Sequence, residues 1–375
     1  MTDRKFRNQK TVLHLIDTTG PGGAETVFIN LLKEMGQTPY RNIVLLRGEG
    51  WVADKVRSIG INPFIIDSKG SFNLAYIWSV KRLLTAEKVD LIHAHLLGSN
   101  VYGAILAILS RRPMIATFHG AVDVAAKERF LRTKFFLIGL GASKIVCVSK
   151  RLEQELVSRS RLPPDKLKLI YNGVDSSLYQ GKRQSNLRAE LGLPPEARIV
   201  VSVGNIRPAK GYEYLVEAAL RMLELDPQTH FVVVGHQREA LFQKLTAQIK
   251  NAAQPPRVHW LGFREDVVEI LRQSDIFLLP STSEGFSIST VEAMMAGIPV
   301  IATRSGGPEE IISNHETGFL IPIKDPSAIV EAIQALRAPE TRLRMVQKAQ
   351  SVAKEKFGLR TMLNEYRGLY QQLLS

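Results

Sequence analysis

The chain has 375 residues, 45% hydrophobic and 23% charged, with a formal net charge of +13. This balance excludes a mainly disordered chain, and a single cysteine excludes a disulfide scaffold. The length suggests two domains, and no uncharged apolar run is long enough to require a bilayer-spanning segment.

The charge is unevenly distributed. Residues 1–180 hold 26 Lys+Arg against 15 Asp+Glu, a net of +11, while residues 181–375 hold 23 against 21, a net of +2. A basic first half suits an anionic partner, either nucleic acid or a membrane surface, or it serves solubility alone. Met1–Lys10 carries Arg4, Lys5, Arg7 and Lys10, but the apolar segment after it, Thr11–Ile16, is too short for a signal sequence. The expected location is the cytoplasm. Cys147, in an apolar run, reads as a buried structural thiol. No cysteine or histidine cluster has zinc spacing along the chain.

Short apolar strands alternate with helical patterns throughout. In the first half, strands are expected at Thr11–Asp17, Asn42–Leu46, Val89–His95, Pro113–Phe118 and Lys144–Ser149, with a helix from about Ala24 to Met35. The second half restarts the scheme at Arg198–Val203, His230–Val234, Val258–Leu261, Ile276–Pro280 and Pro299–Ala302. Near-continuous apolar strands imply parallel sheets covered on both faces. The expected fold class is therefore α/β, with two Rossmann-like doubly wound domains facing across a cleft. Residues 1–180 form the first domain in this reading, and 181–356 the second. A C-terminal helix, 357–375, would pack back on the first domain; Leu359, Met362, Tyr366, Tyr370 and Leu373 fall near one stripe.

Candidate chemistry sits after strands. Gly22 and Gly23 follow the first strand and open a helix, so backbone can approach a ligand there; a tight turn would use the same glycines. The loop does not fit G-x-G-x-x-G. Arg207 and Lys210 stand after the first strand of the second half, where two cations suit a diphosphate or are merely solvated. Glu284 ends a loop, and a helix starting near Ser287 or Ile288 would carry Glu292 about one turn inside it. Such a helix end suits a diphosphate. The plainer alternatives are a capping acid and an exposed helical glutamate.

His119 follows a strand and can offer a hydrogen bond to a ligand. His93 and His95 are expected on opposite faces of their strand and, with His14, as packing histidines. His230, His236, His259 and His315 are assigned no role.

Together these features resemble the family 4 retaining glycosyltransferases of GT-B fold. The resemblance runs from the glycine loop to the last helix. It is carried by Glu284-Gly-Phe, Glu292-Ala-Met-Met-Ala-Gly297, Gly306-Gly-Pro-Glu-Glu310 and Thr317-Gly-Phe-Leu320. Gly22-Gly-Ala-Glu25, Thr117-Phe-His-Gly120, Tyr171-Asn-Gly-Val-Asp175 and Trp260-Leu-Gly262 add to it. The resemblance implies a metal-independent enzyme without cofactor that uses a nucleotide-diphosphate sugar, UDP favoured over GDP. It implies that residues 1–180 bind the acceptor and 181–356 the nucleotide sugar, with Glu292 taking the ribose hydroxyls and Glu284 the transferred sugar. Backbone of Gly285, Phe286 and Ser287 would meet sugar and diphosphate, and Gly22 and Gly23 the diphosphate. Gly262 and Phe263 would border the base, and His119 would contact the sugar at the reacting face. Arg207 and Lys210 would stabilise the departing diphosphate. The family's usual arginine position is occupied here by Asn205.

The implied acceptor is a glycan or lipid-linked sugar in polysaccharide, lipopolysaccharide or glycolipid assembly. The rivals are a non-catalytic nucleotide-sugar-binding subunit and an epimerase or phosphorylase-like enzyme on the same fold. Lys127–Ile138 alternates bases and bulky apolar residues; as a helix it places Phe130, Lys134 and Leu137 near one line, with Arg129 and Arg132 beside it. This is either an interfacial patch for an anionic membrane or a core helix with a basic face. No aromatic-studded platform favours nucleic acid.

Overall fold

The computed structural model describes residues 9–36, 39–68, 72–120, 129–160, 162–181, 186–237, 239–250 and 257–375. The basic stretch before Gln9, the start of Lys127–Ile138 and residues 182–185 lie outside the described residues. The chain divides into two compact units, one of residues 1–173 and 360–375 and one of 174–359.

The first unit holds a seven-stranded parallel sheet: β1 (Lys10–Ile16), β2 (Tyr40–Leu46), β3 (Phe64–Ile65), β4 (Leu91–His95), β5 (Met114–Phe118), β6 (Lys144–Cys147) and β7 (Leu167–Leu169). Their order is β3-β2-β1-β4-β5-β6-β7. Every residue of β4 and β5 is buried, as expected for strands covered on both faces. Helix Gly23–Met35 follows β1 and buries Val27, Phe28, Leu31, Leu32 and Met35. Residues 360–375 belong to this unit. They form most of helix Leu359–Leu374, whose Met362, Tyr366 and Tyr370 are buried. Cys147 is buried and forms no disulfide, and burial pushes its thiol up to about 12.

The second unit holds six parallel strands: β8 (Arg198–Val203), β9 (Thr229–Val234), β10 (Val258–Gly262), β11 (Ile276–Leu279), β12 (Val300–Thr303) and β13 (Phe319–Ile321). Their order is β10-β9-β8-β11-β12-β13. Its core gathers Val200, Phe231, Val233, Leu278 and Ile301 of the sheet with Leu215, Val216 and Ile333 of the covering helices. Burying each such side chain contributes roughly 1.5–3 kcal/mol before conformational entropy is counted.

In each sheet the strand order reverses once, between β1 and β4 and between β8 and β11. Doubly wound sheets bind ligands beyond the carboxyl ends of the strands at such points. Strands β3, β7 and β13, of two or three residues, were not expected from sequence. No helix among the described residues is long and apolar enough to cross a membrane.

Candidate functional site

The loops after β8 and β11 flank the reversal in the second sheet, and they clasp each other. Thr282 donates its backbone N–H to the Ala209 carbonyl at 2.8 Å. Gly211, with φ of +65°, sits where a Cβ would lie 2.1 Å from the Pro280 carbonyl oxygen, so this approach requires glycine. The clasp brings Lys210 Nζ within 2.6 Å of Glu284 Oε1, with side chains only 16% and 11% exposed. Ser281 Oγ donates to the same oxygen at 2.6 Å. Glu284 is pinned through its backbone as well, donating to the Ser305 carbonyl and accepting from Gly307 N–H.

Tyr212 lies under this group and donates to the Gly204 carbonyl at 2.6 Å. Burial raises its phenol and the Glu284 charge raises it further, while Ser202 and Arg207 oppose the shift. Arg207 and Glu284 are therefore both electrostatic neighbours of one tyrosine. Asn205 joins two loops. Its Oδ1 accepts the His236 backbone N–H at 3.0 Å, tying the loop after β8 to the loop after β9.

Helix Ile288–Ala296 begins where the sequence predicted. Ser287 is its N-cap and accepts from Thr290 N–H. No acidic residue occupies the first turn, so the positive end of the helix is not offset from within. Phe286 turns its ring away into an edge contact with Phe357, 5.6 Å between centroids. Glu292, half-buried, lies in the second turn. Low-polarity surroundings push its carboxyl up to about 7. Its charge acts on the half-buried Tyr179 phenol, which desolvation raises first. Gly262 turns at the end of β10, and the next residue, Phe263, stacks on His236 with centroids 4.7 Å apart and planes 10° apart.

The other sequence candidates belong to the first unit. Gly22 is extended and caps helix Gly23–Met35. A Cβ there would lie 2.3 Å from Glu25 Oε2, because the buried Glu25 side chain folds back over the loop. His119 follows β5, and its Nε2 lies 3.1 Å from His95 Nδ1. Burial lowers His119 to about 4, so it is neutral at pH 7.

His93 and His95 do not face opposite sides. Residues two apart on a strand share a face, and their rings lie 4.2 Å apart. With His14 they form a buried imidazole group, which the half-buried His119 joins through His95. His93 meets Tyr370 Oη at 2.7 Å and Thr117 Oγ1 at 2.9 Å. Ring nitrogens of His14, His93 and His95 lie within 4.8 Å of one another. This proximity comes from neighbouring strands, which linear spacing does not register; hydrogen bonds already engage both His93 nitrogens.

Sequence reasoning missed Ser281, Tyr212, Tyr179 and His236. Only the strand-end position of Ser281 and His236 could have marked them.

The Lys210–Glu284 clasp and the capped helix at a doubly wound reversal, with a second such sheet in the same chain, give the architecture of GT-B glycosyltransferases. The family model described as "Glycosyltransferase Family 4" matches residues 21–178, and "Glycosyl transferases group 1" matches residues 183–352. The chain belongs to glycosyltransferase family 4. N-acetyl-alpha-D-glucosaminyl L-malate synthase of Bacillus anthracis is 26% identical over 367 residues, 94% of each chain. UDP-Gal:alpha-D-GlcNAc-diphosphoundecaprenol alpha-1,3-galactosyltransferase of Escherichia coli is 29% identical over 264 residues, 68% of each chain. The crystal structure of Anabaena Alr3699/HepE in complex with UDP and glucose is 25% identical with a TM-score of 0.86. It aligns with 97% of this chain and 100% of its own.

Proposed function

We propose that this glycosyltransferase moves a sugar, with retention at the anomeric carbon, from a UDP-sugar to a glycan or lipid-linked acceptor at the inner face of the cell membrane. The observation that carries the reading is the Lys210–Glu284 pair, set at the sheet reversal beside the amino end of helix Ile288–Ala296. As the bond to the anomeric carbon breaks, negative charge grows on the diphosphate. Lys210, Arg207 and the helix end meet that charge more strongly in the transition state than in the ground state. Glu284 then accepts hydrogen bonds from the sugar hydroxyls and positions the ring. Glu292 accepts from the ribose, and the Phe263–His236 stack borders the base. His119, kept neutral, offers one hydrogen bond to the sugar. Charge is supplied by protein groups, so the reading needs no metal.

The UDP and glucose bound in the Anabaena relative support the donor class, and the Escherichia coli relative's diphosphoundecaprenol acceptor supports the lipid-linked one. Calorimetric titration with UDP- and GDP-sugars, nucleotide release and NMR of the product anomer test it. Tighter GDP-sugar binding overturns the base, an inverted anomer overturns retention, and loss of turnover in EDTA overturns metal independence.

A further inference from the structure

His95 is fully buried and makes its hydrogen bond to His119, the residue proposed to meet the sugar. Strands β4 and β5 pair in parallel, with His93 opposite Ile115 and His95 opposite Thr117. Two side-chain rungs cross this pair with the same offset. One joins His93 Nε2 to Thr117 Oγ1 at 2.9 Å, the other His95 Nδ1 to His119 Nε2 at 3.1 Å. The His95 and His119 ring centroids are 5.3 Å apart and the planes 26° apart. With the centroids so much farther apart than the nitrogens, the rings meet edge to edge, as a hydrogen bond requires, rather than face over face. The His93 ring covers His95 at 4.2 Å, and Phe28 closes on it at 5.1 Å with planes 82° apart. His93 does not compete for His119, because Tyr370 and Thr117 hold both its nitrogens.

Burial lowers both rings, so at pH 7 each is neutral and carries a single ring proton. The contact between the two nitrogens holds one of these protons, which leaves two arrangements. In one, His95 Nδ1–H donates to His119 Nε2 and His119 keeps its own proton on Nδ1. In the other, His119 Nε2–H donates inward and the His95 proton sits on Nε2. That last atom is buried and has no hydrogen-bond partner among the described residues. A proton there is a buried donor without an acceptor, whereas a bare lone pair is the milder loss. The same gap ends the chain of groups at His95 Nε2, so the pair is not a proton relay. We infer that His95 is a positioning residue: its Nδ1–H donates to His119 Nε2 and so fixes His119 as a ring that presents Nδ1–H to the transferred sugar. The inference rests on the sugar contact proposed above for His119, and it makes the matching group on the sugar an oxygen that accepts.

The test is a two-bond 1H–15N correlation spectrum of the full chain labelled at its histidine nitrogens, which separates Nδ1–H from Nε2–H rings. The chain has eight histidines, and His119→Ala identifies the His119 signals. Wild-type His119 is expected in the Nδ1–H form. In His95→Leu it should move to the Nε2–H form, which an isolated neutral imidazole prefers. There kcat should fall about tenfold, the lower end for losing the outer partner of a functional histidine. Cooperative melting and unchanged UDP affinity verify folding. His95→Asn places an amide N–H where Nδ1 lies, and should restore the Nδ1–H form and most of kcat. An Nε2–H His119 in the wild type overturns the inference, even where His95→Leu does not fold. An unchanged His119 form in His95→Leu, or His95→Asn as impaired as His95→Leu, overturns it too. Full turnover in His119→Ala would sink the proposed sugar contact and the part of His95 in the reaction, while leaving the ring-to-ring hydrogen bond visible in the spectrum.

Discussion

Lys210 Nζ lies 2.6 Å from Glu284 Oε1, although the two residues follow different strands and are held by different loops. Each keeps the other's charge compensated in a largely enclosed place. A donor diphosphate and sugar would take over both partners at once. Lys210→Ala is expected to lower kcat by about 10²–10³, the scale of losing one preorganised group aimed at developing charge. Glu284→Gln keeps shape and loses charge, so kcat should fall while nucleotide affinity holds. Steady-state UDP release and calorimetry read the two quantities separately. Full turnover in Glu284→Gln would remove any catalytic part for that charge.

Glu292 gives a pH signature. Its carboxyl titrates near 7 in the folded chain, against an ordinary value of 4.5. Between those values the unfolded chain is ionised there and the folded one is not, so stability falls as pH rises from 4.5 to 7 and is level beyond. The limit is about 3 kcal/mol at 1.36 kcal/mol per unit. Ribose hydroxyls donate best to the ionised form, so a UDP-sugar, whose diphosphate diester does not titrate in this range, should bind more tightly as pH rises through 7. Titrations at pH 6 and pH 8 should differ in wild type and agree in Glu292→Gln.

The histidines predict the opposite trend for the first unit. His14 and His119 are each lowered to about 4 by burial, and His93 and His95 are lowered as well. Below the ordinary value of 6.5 the unfolded chain takes up protons that the folded one refuses. Stability is therefore lost as pH falls from 6.5 toward 4. Melting temperature should drop by at least roughly 10 °C over that range, since His14 and His119 alone give up about 5 kcal/mol together. Replacing His14 with Gln should shrink the drop, and an unchanged profile would mean that these rings open to water.

Gly211 tests the clasp itself. Alanine there must adopt φ of +65° and move its Cβ off the Pro280 carbonyl. The cost is expected at about 1–3 kcal/mol. Because Lys210 is the preceding residue, kcat should fall beyond what the stability loss explains. Thermal melting and UDP release on the same preparation separate the two effects.

The parts legible in the sequence are those with a period or a fixed local partner. Continuous apolar runs gave β1, β8 and β11, and the glycines and glutamates after them gave the candidate loops. The helix after Ser287 was legible because a capping serine precedes an apolar segment. The histidine group was not, since Thr117 and Tyr370 join His93 from distant parts of the chain. The alternation of β4 was misjudged: period two puts His93 and His95 together. Strands β3, β7 and β13 are too short to show any period. The task of Asn205 depends on a hydrogen bond to His236, between the loops that follow β8 and β9, which no local pattern marks.

That hydrogen bond supports the last prediction. Asn205 Oδ1 holds the His236 backbone, and the His236 ring stacks on Phe263, which is 39% exposed. If this stack borders the base, Phe263→Ala should weaken UDP about three- to tenfold, the scale of one aromatic contact. Asn205→Ala should weaken it less, by loosening His236 without removing the ring. Both losses should fall on nucleotide affinity and leave kcat at saturating donor nearly intact. A uridine probe without phosphates should lose affinity in the same ratio, whereas inorganic diphosphate should compete equally in all three proteins. Loss confined to diphosphate would place the base elsewhere and return Asn205 to a purely structural part.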